Sequence, residues 1–494
     1  MNLKTIIIIS AVFITTNIHG QNSWQDELEY GTYSIGFKTI HIEDYSRPYI
    51  KESDSIYSPR PMQISVWYPM AMNQKNTPIT FGYLLSLEET VETLQKISLS
   101  DASKPSDKYL DYFKGDKIEH IFNKPMKAIF DATQLKGSFP LILYGSSQSS
   151  SGYDNALLCE QLASHGYIVA TVASKGAYSR PMPFNEEGAE AQTRDLEFLY
   201  GYMHNFPSVD IKNIGTVGFS FGGLNMVTFS LKNKNVKAMV AFDGSIPPGY
   251  PILQSYNYID IKEFNSNFLG FLGDKSYLNN YPLFDDVSLT DIYLLKLNKL
   301  DHLDFSSFNI TILEQPNYVY KAYTDMANLT VQFLNQNFKK GNTFDESIKN
   351  YSKEIYADLR QKKSNTHPKV VKAKFINYIN KYGIDKGIEV YYETKKDFPE
   401  YRLFDYKAFR DVGYLKMMEE DYDNAIKLYR VLLDAYPNTN DSYRRLGEAY
   451  MENGDYKPAR ELLTKGLEIA KGDSKRTFKA ILKILDERDK NNKN

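Results

Sequence analysis

A single cysteine, Cys159, stands in a chain of 494 residues. An intrachain disulfide and a cysteine-built metal cluster are therefore excluded. Cys159 lies in the amphipathic run Ala156-Leu157-Leu158-Cys159-Glu160-Gln161-Leu162-Ala163, where a small buried apolar side chain is the expected role rather than a nucleophile. Charge of either sign is not in excess. The 59 Lys and Arg and 61 Asp and Glu leave a formal net charge of −2, so no basic field exists to hold nucleic acid. Long apolar runs are also missing. Thr5 to Ile14 is apolar but too short to span a bilayer comfortably. Preceded by Lys4, it reads as a secretory signal peptide over residues 1–20, with small Gly20 at the cleavage position and bulkier Ile18 two before it. A short N-terminal anchor is the alternative. No cysteine lies nearby to accept a lipid, and no later run is long enough for a transmembrane segment. The mature protein is expected to be exported, periplasmic or secreted.

What is present suffices for ordinary globular cores. Apolar residues make up 42% of the chain, and the length suggests two or more domains. The 39 tyrosines carry little functional weight. From Trp24 to about residue 340, strand-like runs alternate with helix-like ones, the pattern of a doubly wound, mostly parallel sheet covered by helices. Met62 to Pro69 predicts an early strand. Pro140 to Tyr144, Tyr167 to Val172, Ile214 to Gly218, Lys237 to Phe242 and Asn267 to Leu272 follow, with Ile292 to Leu297 as the last. Such continuous apolar runs fit strands buried on both faces. Residues 77–137 form an insertion with helical periodicity at Leu84, Leu85, Leu87, Val91, Leu94 and Ile97. It is either a lid or a surface elaboration. Residues 341–369 are polar and read as a linker.

Beyond residue 370 strand signals vanish and a repeat appears. Val412, Gly413, Asp421, Tyr422, Ala425 and Leu428 recur 34 positions later as Leu446, Gly447, Asp455, Tyr456, Ala459 and Leu462. A weaker unit precedes them, with Gly387, Tyr391 and Pro399. Small residues at fixed positions let paired helices approach, and large apolar ones fill the seams. This resembles tetratricopeptide repeats, which implies an all-α domain over residues 370–490 ending in a capping helix. Its role is either to bind a protein partner or to serve as a structural appendage.

The chemistry-bearing signal is Gly218-Phe219-Ser220-Phe221-Gly222-Gly223. A buried strand enters it and a helical pattern leaves it, the context of a nucleophile elbow. The alternative is a glycine-rich turn without catalysis. A serine needs a base. His302 follows the last expected strand, and among the seven histidines it is the one downstream of Ser220 within this domain. The sequence Asp301-His302-Leu303-Asp304 carries no second histidine, so a metal site is not expected. Two aspartates end successive strands, Asp243 and Asp274, and position alone leaves the acid open between them. The backbone N–H of Phe221 is expected to serve as an oxyanion donor.

Several segments together resemble the platelet-activating-factor acetylhydrolase and dienelactone hydrolase-like branch of the α/β-hydrolases. They are Arg60 to Pro69, Pro140 to Tyr144, Leu162 to Ala170, Arg194 to Phe198, the elbow, Phe242 to Pro247, and His302-Leu303-Asp304-Phe305. The resemblance spans most of the first domain except the insertion. It implies that the acid is Asp243, with separations from Ser220 of 23 residues to Asp243 and 82 to His302 similar to the family's. The family's usual His-Gly after the first central strand is replaced here by Gly145-Ser146-Ser147-Gln148. Alignment makes the N–H of Gln148 the second oxyanion donor.

The expected function is hydrolysis of small-molecule or lipid-derived carboxylic esters through an acyl-enzyme, without cofactor or metal. One alternative is a catalytically impaired fold acting as a scaffold through its repeats. Another is cleavage of peptide or carbohydrate-ester bonds.

Overall fold

In the computed structural model, described residues are 24–51, 57–71, 77–103, 117–276, 280–287, 289–313, 315–339, 344–351, 357–363, 372–399 and 401–492. The signal-peptide reading of residues 1–20 lies outside them. Among the described residues no helix is long and apolar enough to cross a membrane.

The apolar runs form the centre of an eleven-stranded sheet. Its first four strands are β1 (Ile35–Tyr49), β2 (Ser58–Pro69), β3 (Pro78–Thr80) and β4 (Pro125–Phe130). The central run comprises β5 (Phe139–Gly145), β6 (Ile168–Val172), β7 (Val209–Phe219), β8 (Val236–Phe242), β9 (Asn267–Leu272) and β10 (Ile292–Leu297), with β11 (Ala357–Lys362) last. The order across the sheet is β11-β10-β9-β8-β7-β5-β6-β2-β1-β4-β3. The six strands from β5 to β10 are mutually parallel, as the apolar runs predict. Helices Ala156–Ser164 and Asn317–Phe338 cover one face, packing Leu158, Cys159, Met326 and Phe333 against it. Helices Glu186–Met203 and Phe221–Lys232 cover the other with Leu196, Leu199, Leu224 and Val227. Cys159 is buried, as expected of a packing residue.

Register aligns the strand ends that matter. Gly145 pairs with Gly218, Phe219 with Phe242, and Phe242 with Phe271. The chain therefore leaves β5, β7, β8 and β9 along one carboxyl edge, where ligands bind in sheets of this kind.

Two expectations are corrected. Ile292–Leu297 is not the last strand, because β11 pairs antiparallel with it from Ile292↔Lys362 to Leu297↔Ala357. Residues 341–369 are accordingly not a plain linker. They hold helix Phe344–Tyr351 as well as β11. The signal in Ala357-Asp358-Leu359-Arg360-Gln361-Lys362 is faint because an edge strand needs little burial and tolerates basic residues that guard its open side. Arg360 anchors it by a 2.7 Å ion pair to Asp285. Strands β3 and β4 lie within the insertion, and extend the sheet beyond β1.

Among the described residues the C-terminal region is built of helices, from Lys372–Tyr382 to Asp473–Asn491, joined by short turns. The recurring glycines sit where helices touch. A Cβ on Gly413 would lie 2.4 Å from the Tyr429 ring, and one on Gly447 would lie 2.7 Å from Leu463. Lys372 ties this region to the sheet domain, bonding Glu263 at 2.9 Å and Asp405 at 2.7 Å.

Candidate active site

Strand β7 ends at Phe219 and helix Phe221–Lys232 begins after a single intervening residue. Ser220 makes this reversal alone, at φ 54 and ψ −126. A non-glycine residue held there stores on the order of 1–3 kcal/mol of strain. The surrounding backbone holds it in place: the Ser220 N–H donates to Phe242 O at 3.2 Å, and Ser220 O accepts from Gly223 N and Ser245 N, both at 2.9 Å. The tight turn has no room for side chains beside it. A Cβ on Gly222 would lie 2.0 Å from Gly145 O, and one on Gly218 would lie 2.7 Å from Gly222.

His302 opens the short turn His302–Phe305 that follows β10. Asp301 and Asp304 close this turn on each other, the Asp301 N–H donating to Asp304 Oδ2 at 2.8 Å. The imidazole Nε2 lies 2.9 Å from Ser220 Oγ, and Nδ1 lies 2.6 Å from Asp243 Oδ2. The Phe219 ring stacks on it with centroids 5.0 Å apart. With Nδ1–H donated to the carboxylate, the Nε2 lone pair faces the serine hydroxyl. The other oxygen of Asp243 accepts from Gly273 N–H at 3.0 Å and Ser276 Oγ at 3.3 Å. These donors fix the position of the Asp243 side chain beneath the imidazole. Asp274 is elsewhere: its side chain is 58% exposed and faces Lys296 at 4.0 Å. The aspartate in contact with the imidazole is thus Asp243.

The loop after β5 is shaped by side chains that its sequence did not single out. Gln192 Nε2 donates to Ser146 O at 2.8 Å, and its own carbonyl accepts from Asn225. Asp154 accepts from Ser147 N–H at 2.8 Å and Ser150 Oγ at 2.6 Å. Burial pushes the Asp154 carboxyl up from its ordinary value, while these bonds pull it back. Ser149, at φ 58, accepts from Met182 N–H at 3.0 Å. Gln148 donates its side-chain amide to Met182 O at 2.6 Å and lines the same cavity as Ser220. Phe221 is buried at the first position of its helix, where backbone N–H groups lack intrahelical acceptors. No local sequence signal marks Gln192 or Asp154, because their partners come from other elements.

Above Ser220 and His302 lies a cavity of about 450 Å³. Helix Phe81–Glu88 of the insertion reaches it through Glu88, and Phe81 packs on Phe308 with ring centroids 5.6 Å apart. The insertion therefore forms part of the wall. A serine hydroxyl, an imidazole and a carboxylate in line beneath a cavity are the parts needed for nucleophilic acyl transfer.

Residues 148–274 match the family model of the dienelactone hydrolase family, and residues 416–477 match a tetratricopeptide repeat model. The first span contains Gln148, Ser220 and Asp243 and stops before His302. A comparison with curated proteins returned no match. Among solved structures, a ferulic acid esterase from Streptomyces cinnamoneus is similar over 63% of this chain and 92% of that one, with 17% identity and a TM-score of 0.47. The family match over residues 148–274 supports a hydrolase of ester bonds.

Proposed function

We propose that this chain is an exported serine hydrolase that cleaves carboxylic esters through an acyl-enzyme on Ser220. The observation that carries the reading is the position of His302, 2.9 Å from Ser220 Oγ and 2.6 Å from Asp243. Ser220 Oγ attacks the ester carbonyl carbon as its proton passes to His302 Nε2. Asp243 holds the resulting imidazolium. The tetrahedral oxyanion takes hydrogen bonds from the backbone N–H groups of Phe221 and Gln148. His302 then returns the proton to the leaving alcohol as the C–O bond breaks. Water, deprotonated by the same imidazole, releases the carboxylic acid and restores Ser220.

The test is cleavage of short-chain nitrophenyl esters together with labelling by a fluorophosphonate. Both are expected of the native protein and neither of Ser220→Ala. Turnover by Ser220→Ala equal to the native rate would remove Ser220 from the mechanism. Export rests on residues 1–20, and N-terminal sequencing of protein recovered outside the cytoplasm is expected to begin near Gln21. The repeats are read as a protein-docking surface. Support comes from the family match and from exposed Leu415 and Met418 on helix Tyr406–Met418.

A further inference from the structure

Two adjacent residues, Asp154 and Asn155, stand where the two loops of the site meet. The Asp154 carboxylate holds the loop after β5, through the Ser147 N–H and the Ser150 hydroxyl. Its main-chain oxygen serves the other loop. It accepts from the Phe308 N–H and the Ser306 hydroxyl, both at 2.9 Å, just beyond the His302–Phe305 turn. Asn155 grips the end of that turn with its side chain. Nδ2 donates to Phe305 O at 3.2 Å, and Oδ1 accepts from the Ser307 N–H at 2.8 Å. A peptide carbonyl only accepts and a peptide N–H only donates, so these two bonds fix the orientation of the amide. Its remaining capacity is taken up by the frame. Nδ2 donates to the Tyr144 hydroxyl of β5 at 3.0 Å, and Oδ1 accepts from the Tyr323 hydroxyl of helix Asn317–Phe338 at 2.7 Å. The buried amide is thereby fully satisfied. Asn155 precedes helix Ala156–Ser164, where an asparagine ordinarily accepts from the first helical N–H groups. Here its side chain makes no such cap bond. Helix capping therefore does not account for this side chain, which is committed to the turn instead.

We infer that Asn155 is a positioning residue for His302, and that with Asp154 it sets the spacing between the histidine turn and the loop of Gln148. This rests on the hydrolase reading above. The His302 side chain is 45% exposed, so packing holds the imidazole on one side only. Its place over Ser220 then depends on the backbone that carries it, and Asn155 anchors the far end of that backbone. Only a side chain that donates and accepts at once can hold both Phe305 O and the Ser307 N–H. Without it the turn is free to drift, and a displacement of about 1 Å between reacting groups can cost about a hundredfold in rate. Asn155 does not line the cavity, so substrate binding should change less than turnover.

The experiment sets full-length Asn155→Ala beside Tyr144→Phe, which removes a bond to the same amide and leaves both of its ties to the turn. Tm is measured, with kcat and KM on nitrophenyl acetate and kcat/KM on ethyl acetate, at a temperature where circular dichroism shows each variant folded. Both variants are expected to have a lower Tm. Asn155→Ala should lose about thirtyfold or more in kcat with KM within about threefold, whereas Tyr144→Phe should keep kcat within about threefold. The loss in kcat/KM for Asn155→Ala should be at least about threefold larger on ethyl acetate, because an alkoxide leaves with a proton from His302 while nitrophenolate needs little help. A folded Asn155→Ala with native kcat overturns the inference, and so does a Tyr144→Phe that loses as much. Should Asn155→Ala not fold, Ser306→Ala takes its place, since it removes a tie to Asp154 from the side of the turn. A kcat loss of about three- to tenfold with the same leaving-group bias then supports the role, and native kinetics overturn it. A native protein that neither cleaves esters nor labels at Ser220 overturns the hydrolase reading and this inference with it.

Discussion

His302 Nδ1 approaches Asp243 Oδ2 at 2.6 Å. This contact depends on an unusual backbone at the aspartate. Asp243 sits at φ 39, just after β8, and its N–H is held by Phe271 O at 2.8 Å. The turn swings its carboxylate across the end of β9, beneath the imidazole. Asp274, one strand further on, starts from the same edge but turns outward to Lys296.

Asp243→Asn is therefore expected to lower kcat on nitrophenyl esters by about a thousandfold or more, because the imidazole loses its orienting anion and its tautomer. Asp274→Asn should stay within about threefold of the native rate, as expected for an exposed surface change. Steady-state kinetics on both variants checks this, and a damaging Asp274→Asn with a benign Asp243→Asn would reverse the assignment.

Gly222→Ala should be among the most damaging small changes in the chain. Its methyl group would lie 2.0 Å from Gly145 O, a backbone atom that cannot rotate aside. Overpacking of this kind costs about 1–3 kcal/mol or more. The loop carrying Gln148 would shift with Gly145. Thermal denaturation should show a lower Tm, and the folded fraction should label slowly with fluorophosphonate.

Gln192→Leu tests whether the loop after β5 is held from beneath. The change keeps volume but removes the donor to Ser146 O and the acceptor for Asn225. A fall in kcat of about tenfold or more is expected, with KM changing less, since the proposed mechanism draws an oxyanion donor, the Gln148 amide, from this loop. Circular dichroism should show a folded protein. An unchanged kcat would mean that the remaining contacts of Asp154 and Ser149 hold the loop alone.

Glu160 supplies a pH-dependent prediction away from the chemistry. It is fully buried on helix Ala156–Ser164, and burial raises its carboxyl from 4.5 to about 7 despite the 2.7 Å bond from Ala128 N–H. Between those values the folded chain keeps a proton that the unfolded chain has lost. Stability contributed by this group is therefore present at low pH and falls as pH rises through about 4.5 to 7. Glu160→Gln keeps the acceptor for Ala128 and removes the charge. Its Tm should exceed that of the native protein by about 2–4 °C near pH 8, with a smaller difference near pH 5.

Much of this protein was legible from its residues alone, for reasons that differ by element. The central strands announced themselves because parallel strands buried on both faces must be apolar at every position. The repeats were readable because Gly413 and Gly447 must be small for the same packing reason. Ser220 was readable because its turn demands glycines at fixed neighbours. The edge strand Ala357–Lys362 was not legible, since a half-exposed strand imposes almost no pattern.

By itself the sequence determined the class of fold, the position of the elbow, and His302 as the histidine following the final parallel strand. These follow from local periodicity and chain order. Only the tertiary structure decided which aspartate meets that histidine on position alone, which side chains brace the loop at Gln148, and that Glu88 faces the cavity. Each of these is a meeting of groups from separate elements, brought together by strand register and backbone turns whose contacts no local spacing records.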